Sequence, residues 1–246
     1  MESFVWNPWH GCHKYSEGCL HCYVYRRDES VGRDASVVAR TASFSDAVKK
    51  DRRGEWKWPS GSEIWLCLSS DFFLEEADPW RDEVWDMVRQ RPDLFFRIIT
   101  KRITRFMDCV PEDWGGGWEN VSVGCTAENQ RRCAERLSLF LSLPIKNRIL
   151  VCEPLLEKID LGVIPKGTLG SVIAGGESGP GARTCDYAWI LDLRRQCVEN
   201  GVRFHFKQTG ANFVKEGKRY AIPRKDQIPQ AGKACIDYEP EGGNAE

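Results

Sequence analysis

The chain has little that marks it for export, for a membrane or for bulk electrostatics. No run approaches the roughly 18 apolar residues of a membrane-spanning helix. The start, Met1-Glu2-Ser3-Phe4, carries neither a basic segment nor an apolar stretch, so no secretory leader is predicted. Net charge is only −1, from 35 Lys and Arg against 36 Asp and Glu. Global charge therefore makes no case for nucleic acid or a lipid surface, although 35 cations leave room for a local basic face. Histidines number four, and no G-x-S-x-G elbow is present, so a Ser-His-Asp hydrolase finds no support. The Gly-Lys-Ser/Thr ending of a phosphate loop is missing. No repeat with a period of about 20–50 residues appears, which excludes a solenoid.

What is abundant is cysteine, with 11 copies, and tryptophan, with 10. An odd cysteine count without a leader predicts a reducing, cytoplasmic setting with free or metal-bound thiols. Three of the cysteines, Cys12, Cys19 and Cys22, form a C-x6-C-x2-C pattern. Three thiolates on one short segment suit an iron–sulfur cluster with one iron left open. A structural zinc site takes four protein ligands, and His10, His13 and His21 flank the motif, so a Cys3His zinc site is the alternative. Cys67, Cys125 and Cys152 fall within or at the ends of apolar runs and read as small buried residues. The tryptophans, among them Trp6, Trp9, Trp56, Trp58 and Trp65, read as core and rim packing, with base stacking as the sharper alternative.

Past the motif, apolar runs alternate with helical patterns. Strands are predicted at 64–68, 94–99, 121–124, 148–151, 171–174 and 202–206, with one more at 4–6. Helices are predicted at 22–27, 80–90, 102–107, 128–141 and 187–200, and a capped one from 43 or 45 to about 50. Gly201 is read as the C′ residue of the last helix. This alternation predicts βα units around a parallel sheet buried on both faces. After about Gly210 the sequence turns to Gly, Pro and Lys and is read as an irregular extension, with 239–246 as a disordered tail. His205 reads as a core histidine.

Each predicted strand runs into a polar cluster at its C-terminal end. The clusters are Ser69-Ser70-Asp71, Thr100-Lys101-Arg102, Thr126 to Asn129, Glu153-Pro154, Gly175 to Gly179, and Lys207-Gln208-Thr209. The C-terminal ends of parallel strands are where α/β proteins build their sites. Glu177 with backbone carbonyls suits an amino group, and Lys101-Arg102 suits a carboxylate or phosphate. Asp71 with Glu153 or Glu177 also leaves a carboxylate-based barrel hydrolase or nuclease open.

Segments 6–12, 16–23, 70–73, 100–102, 153–156, 175–179 and 206–210 occur in an order that resembles the phage gene-product thirty-seven/sixty-eight family. That is a domain of unknown function found in phages and bacteria, and the resemblance covers about residues 4–212. The family is regarded as similar to radical S-adenosylmethionine (SAM) enzymes, which implies a partial (β/α)6-type, TIM-like parallel barrel over 1–212, followed by the extension 213–246. It implies a [4Fe–4S] cluster on Cys12, Cys19 and Cys22, with SAM on the open iron and a 5′-deoxyadenosyl radical as its product. The first cysteine gap is three residues longer than the usual C-x3-C-x2-C. Gly-Gly-Glu follows a late strand rather than the second. On this resemblance Ser70, Asp71, Thr126, Glu128, Gly175 and Gly176 are expected at the cofactor, and Glu177, Lys101 and Glu153 as catalytic residues, Glu177 and Lys101 at the substrate and Glu153 with Thr126 and Glu128 at the ribose or carboxylate of SAM. A flavodoxin- or ferredoxin-like reductant and a nucleic-acid base or nucleotide substrate are the implied partners, with no membrane. A zinc-binding structural or nucleic-acid-binding module is the other function that these residues permit.

Overall fold

In the computed structural model, residues 1–241 are described. In chain order the elements are β1 (Ser3–Trp6), β2 (Trp9–His10), α1 (Tyr23–Glu29), β3 (Ala39–Arg40), β4 (Glu63–Leu66), α2 (Asp78–Gln90), β5 (Phe95–Thr100), α3 (Phe106–Cys109) and β6 (Val121–Thr126). They continue with α4 (Gln130–Ser142), β7 (Asn147–Cys152), β8 (Ser171–Gly175), β9 (Thr184–Asp186), α5 (Tyr187–Glu199), β10 (Arg203–Gln208), β11 (Asn212–Lys215), β12 (Lys218–Ala221) and α6 (Arg224–Lys233). The protein is mixed α/β, with a seven-stranded sheet in the order β1-β4-β5-β6-β7-β8-β10. The pairs β1/β4, β4/β5, β7/β8 and β8/β10 are parallel. The helices and strands read from the alternation of apolar runs are present, except that the helix at 43–50 is a single 3-10 turn, Asp46–Val48, and the one at 102–107 is a 3-10 turn, Ile103–Arg105, leading into the short α3. Among the described residues no helix is long and apolar enough to cross a membrane.

The chain divides into two compact units. The first comprises residues 1–15, 24–124 and 142–147. Its core is aromatic: Phe72 packs on Trp9 at 5.3 Å and on Trp85 at 4.9 Å, and Trp85 packs on Trp114 at 5.4 Å. Trp6, Trp9, Trp58, Trp85 and Trp114 are all buried, so packing accounts for them. Cys67 is buried too, and burial pushes its thiol well above the ordinary value.

The second unit comprises residues 16–23, 125–141 and 148–246. Helix α5 starts where the Asp186 carboxylate accepts a hydrogen bond from the Ala188 N–H at 2.8 Å, and it stops at Gly201, whose φ is +62°. His205, expected in the core, is exposed, because Phe204 and Phe206 take the buried face of β10. Its Nδ1 lies 2.7 Å from Asp237. The region read as irregular holds a hairpin and a helix instead. β11 runs parallel to β9 and antiparallel to β12, with Lys215 opposite Lys218. The two-residue turn between them places Glu216 at φ +52° and Gly217 at φ +74°, the double positive φ of a type I′ hairpin. Residues 242–246 of the predicted tail lie outside the described residues.

Candidate functional site

In the first unit, the segment carrying Cys12 is held by the ends of β4 and β5. The Gly11 N–H donates to the Ser69 carbonyl at 3.3 Å, and the Ser70 hydroxyl donates to the Gly11 carbonyl. The Cys12 N–H donates to the Ala35 carbonyl at 2.8 Å, and the Tyr25 hydroxyl donates to the Cys12 carbonyl. Arg102 is 4 % exposed. One of its terminal nitrogens lies 3.8 Å from Cys12 Sγ and 3.3 Å from the Asp71 carboxylate, and the other donates to the His13 carbonyl at 2.9 Å. Burial opposes its charge, but Asp71, the Cys12 sulfur and Glu75 outweigh it and hold Arg102 above the ordinary guanidinium value. Asp71 also accepts from Thr100 Oγ1 at 2.7 Å, from the Lys101 N–H at 3.0 Å and from the Phe73 N–H at 3.0 Å. These contacts fill the lone pairs that a ligand ammonium would use, so Asp71 ties two strand ends together and orients Arg102. The Lys101 side chain, by contrast, has no ion-pair partner among the described residues.

In the second unit, the segment carrying Cys19 and Cys22 is held in the same manner. Glu128 is 0 % exposed. It accepts hydrogen bonds from the Ser16 hydroxyl and from the Gly18 N–H at 3.3 Å, and it pairs with Arg136 at 2.8 Å. A Cβ added at Gly18 would come within 2.8 Å of that carboxylate, so a larger residue there would displace it. Glu17 pairs with Arg132 at 2.8 Å, and the Arg132 hydrogen bond leads in lowering its carboxyl to about 2. Arg183 donates to the Glu17 carbonyl at 2.9 Å and, from Nε, to Glu177 at 2.9 Å. Burial would raise the Glu177 carboxyl; the Arg183 hydrogen bonds outweigh it and hold the carboxyl below the ordinary value.

The expected Gly-Gly-Glu turn is a close backbone crossing. The Gly176 N–H donates to the Gln208 carbonyl at 3.1 Å, and the Ala211 N–H donates to the Glu177 carbonyl at 2.8 Å. A Cβ on Gly176 would lie 2.2 Å from the Thr209 carbonyl oxygen, and one on Gly175 3.2 Å from that of Gln208. Glu153 pairs with Lys207 at 2.7 Å and accepts from the Gln208 amide. The Thr126 hydroxyl is buried with no hydrogen-bond partner among the described residues, and an unpaired buried hydroxyl costs about 1–3 kcal/mol.

Arg183, Ser16, Gly18 and Arg136 were not singled out from sequence. Arg183 sits in a loop beyond Gly179 without any local pattern, and its partners are 6 and 166 residues away. All of Cys12, Cys19 and Cys22 are half-buried and outside any disulfide. Cys12 belongs to the first unit, and Cys19 and Cys22 to the second. Among the described residues no group of three or more His, Cys, Asp or Glu side chains is arranged to hold a metal ion. The donor chemistry nevertheless suits a cluster: three thiols outside any disulfide, one of them beside a guanidinium that favours its thiolate.

A model of the family described as protein of unknown function (DUF5131) matches residues 2–233. Comparison with curated proteins and with solved structures gave no match.

Proposed function

The chain belongs to the DUF5131 family of proteins of unknown function, so its activity must be read from its own residues, and we propose that it is an iron–sulfur enzyme of the radical SAM type. The finer fold that this reading implies is a partial (β/α)6 barrel. Cys12, Cys19 and Cys22 would hold three irons of a [4Fe–4S] cluster, with SAM at the open iron. When bound, that pair supplies one-electron chemistry able to remove a hydrogen atom from an unreactive carbon.

The observation that carries the reading is the buried charge committed to the cysteine segment. A connecting loop is ordinarily held by turns and surface polar groups. Here Arg102 and Glu128, both buried, hold it directly. Removing each such ion from water costs several kcal/mol, a cost roughly offset only by well-formed contacts. The geometry supports distinct roles for the chain's residues. Arg102 favours the thiolate of Cys12. Glu128, Arg132 and Arg183 orient the backbone from Ser16 to Gly18, next to Cys19. Lys101 offers an unpaired ammonium to an anionic substrate group, and Thr126 an unpaired hydroxyl. A nucleic-acid base or nucleotide is the proposed substrate class, and a small flavodoxin- or ferredoxin-like protein the reductant. The carboxylate-hydrolase reading has less support, since Asp71, Glu153 and Glu177 each already carry a cation.

The test is iron and sulfide content after anaerobic purification, with electron paramagnetic resonance of the reduced protein before and after SAM. About four irons per chain and a spectrum that responds to SAM are expected, with both lost in Cys19→Ala. Tight zinc without a SAM response, or a cluster retained in Cys19→Ala, overturns the assignment.

A further inference from the structure

The β11–β12 hairpin and the start of α6 concentrate positive charge. Between residues 212 and 226 lie five cations, Lys215, Lys218, Arg219, Arg224 and Lys225, against two carboxylates, Glu216 and Asp226. All five cations are exposed, and none has an acidic partner among the described residues. Two features of their placement work against stability. Lys215 and Lys218 stand directly opposite each other across the hairpin, and like charges at such a pair repel. Arg224 and Lys225 share the first turn of α6 with the single carboxylate Asp226, at a helix end that already carries partial positive charge. Both penalties are relieved by an anion.

Aromatic rings interleave with these cations. Lys215 Nζ lies 5.4 Å from the centre of the Tyr187 ring, and Lys218 Nζ lies 5.3 Å from that of Tyr220. Tyr220 is 40 % exposed and sits on β12, the edge strand of the small sheet β12-β11-β9. Charged residues on an edge strand also discourage unwanted strand pairing, but that purpose needs no exposed tyrosine and no cations on the following helix.

We propose that this face, Lys215, Lys218, Arg219 and Tyr220 with Arg224 and Lys225, binds the sugar-phosphate backbone of a single-stranded nucleic acid, with a base stacked on Tyr220. Cations that track phosphates and an exposed ring that accepts any base are the recognition elements of single-strand binders. The proposal rests on the reading of the substrate as nucleic acid and locates where the strand is gripped. The hairpin is rooted at the substrate candidate Glu177, through the Ala211 N–H bond to the Glu177 carbonyl.

Fluorescence anisotropy with the full chain and a labelled single-stranded oligonucleotide tests it, alongside a labelled duplex and anionic phospholipid vesicles. Each cation–phosphate contact contributes about 0.7 to the slope of log affinity against log salt. Five contacts give a slope near −3.5, a loss of about a hundredfold in affinity between 50 and 200 mM salt. The variant Lys218→Gln/Arg219→Gln should lower the slope by about 1.4, and Tyr220→Ala should weaken binding with the slope unchanged. Arg224→Gln/Lys225→Gln repeats the first measurement outside the hairpin, in case the hairpin variant fails to fold. No binding to the oligonucleotide at 50 mM salt, unchanged affinity in all three variants, or preference for the duplex or the vesicles overturns the proposal. Iron content and the SAM response, measured on the same samples, separate its failure from failure of the enzyme reading.

Discussion

Removing the Glu128 carboxylate should destabilise the protein and loosen the cysteine segment together. Glu128 is fully buried and serves three groups: Arg136 at 2.8 Å, the Gly18 N–H at 3.3 Å, and the Ser16 hydroxyl. Glu128→Leu leaves the buried Arg136 with the Thr126 carbonyl, 2.6 Å away, but without the carboxylate. Breaking one side of a buried pair costs about 3–5 kcal/mol. For a chain of this size that is a fall in Tm of about 6–20 °C, at about 2–4 °C per kcal/mol. Arg136→Met should cost a similar amount. The double variant removes both charges, so it should cost much less than the sum and keep only about 1–3 kcal/mol for the donors left at Ser16 and Gly18. Urea unfolding of the four proteins gives the coupling. A thiol reagent applied to the folded proteins gives the local effect, since Gly18 immediately precedes Cys19 and Ser16 lies three residues before it. Faster modification of Cys19 and Cys22 in Glu128→Leu is expected. Additive stability losses, or unchanged thiol rates in a destabilised Glu128→Leu, would refute the assignment of Glu128 as the anchor of this segment.

Two further outcomes follow from the charges around the cysteines. The Glu17 carboxyl, lowered from 4.5 to about 2 chiefly by the Arg132 hydrogen bond, contributes stability that is present above pH 4.5 and lost as the pH falls toward 2. Arg132→Gln should return its titration toward 4.5 in a carbon-13 spectrum, and a wild-type Glu17 already titrating at 4.5 would contradict the pairing. Arg102→Gln should cost about 3–5 kcal/mol by leaving Asp71 buried without its cation, and it should move the alkylation midpoint of Cys12 to higher pH. Arg102→Lys should restore only part, because one ammonium cannot serve Asp71, the His13 carbonyl and Cys12 together. Full rescue by lysine would mean that the charge alone matters.

Much of the layout was legible because each strand buries at least one face and so reads as an apolar run or alternation. Ile98, Val123, Leu150, Val172 and Phe206 announce β5, β6, β7, β8 and β10 in order. Gly201 announces the end of α5 through a local backbone need. The hairpin after Gly210 escaped because its turn is Glu216-Gly217, with glutamate where Asn or Asp is the usual signal. Helix α6 escaped because Pro223, Pro229 and Gly232 speak against a helix, yet Gln227 and Ala231 bury one side of it.

The sequence by itself determined the chemistry on offer: three cysteines at a ligand spacing, polar clusters after each strand, and an alternation of strands and helices. Periodicity and spacing are local properties, so neighbouring residues suffice to express them. Only the tertiary structure decided which polar residues are held in pairs and which are left unpaired. Asp71, Glu128, Glu153 and Glu177 look alike in sequence, and each proved to be paired with a cation, as Lys101 did not. Two of these pairs, Asp71 with Arg102 and Glu153 with Lys207, join the ends of different strands, and Arg183 reaches the Glu17 carbonyl 166 residues away; no local pattern encodes contacts over such separations.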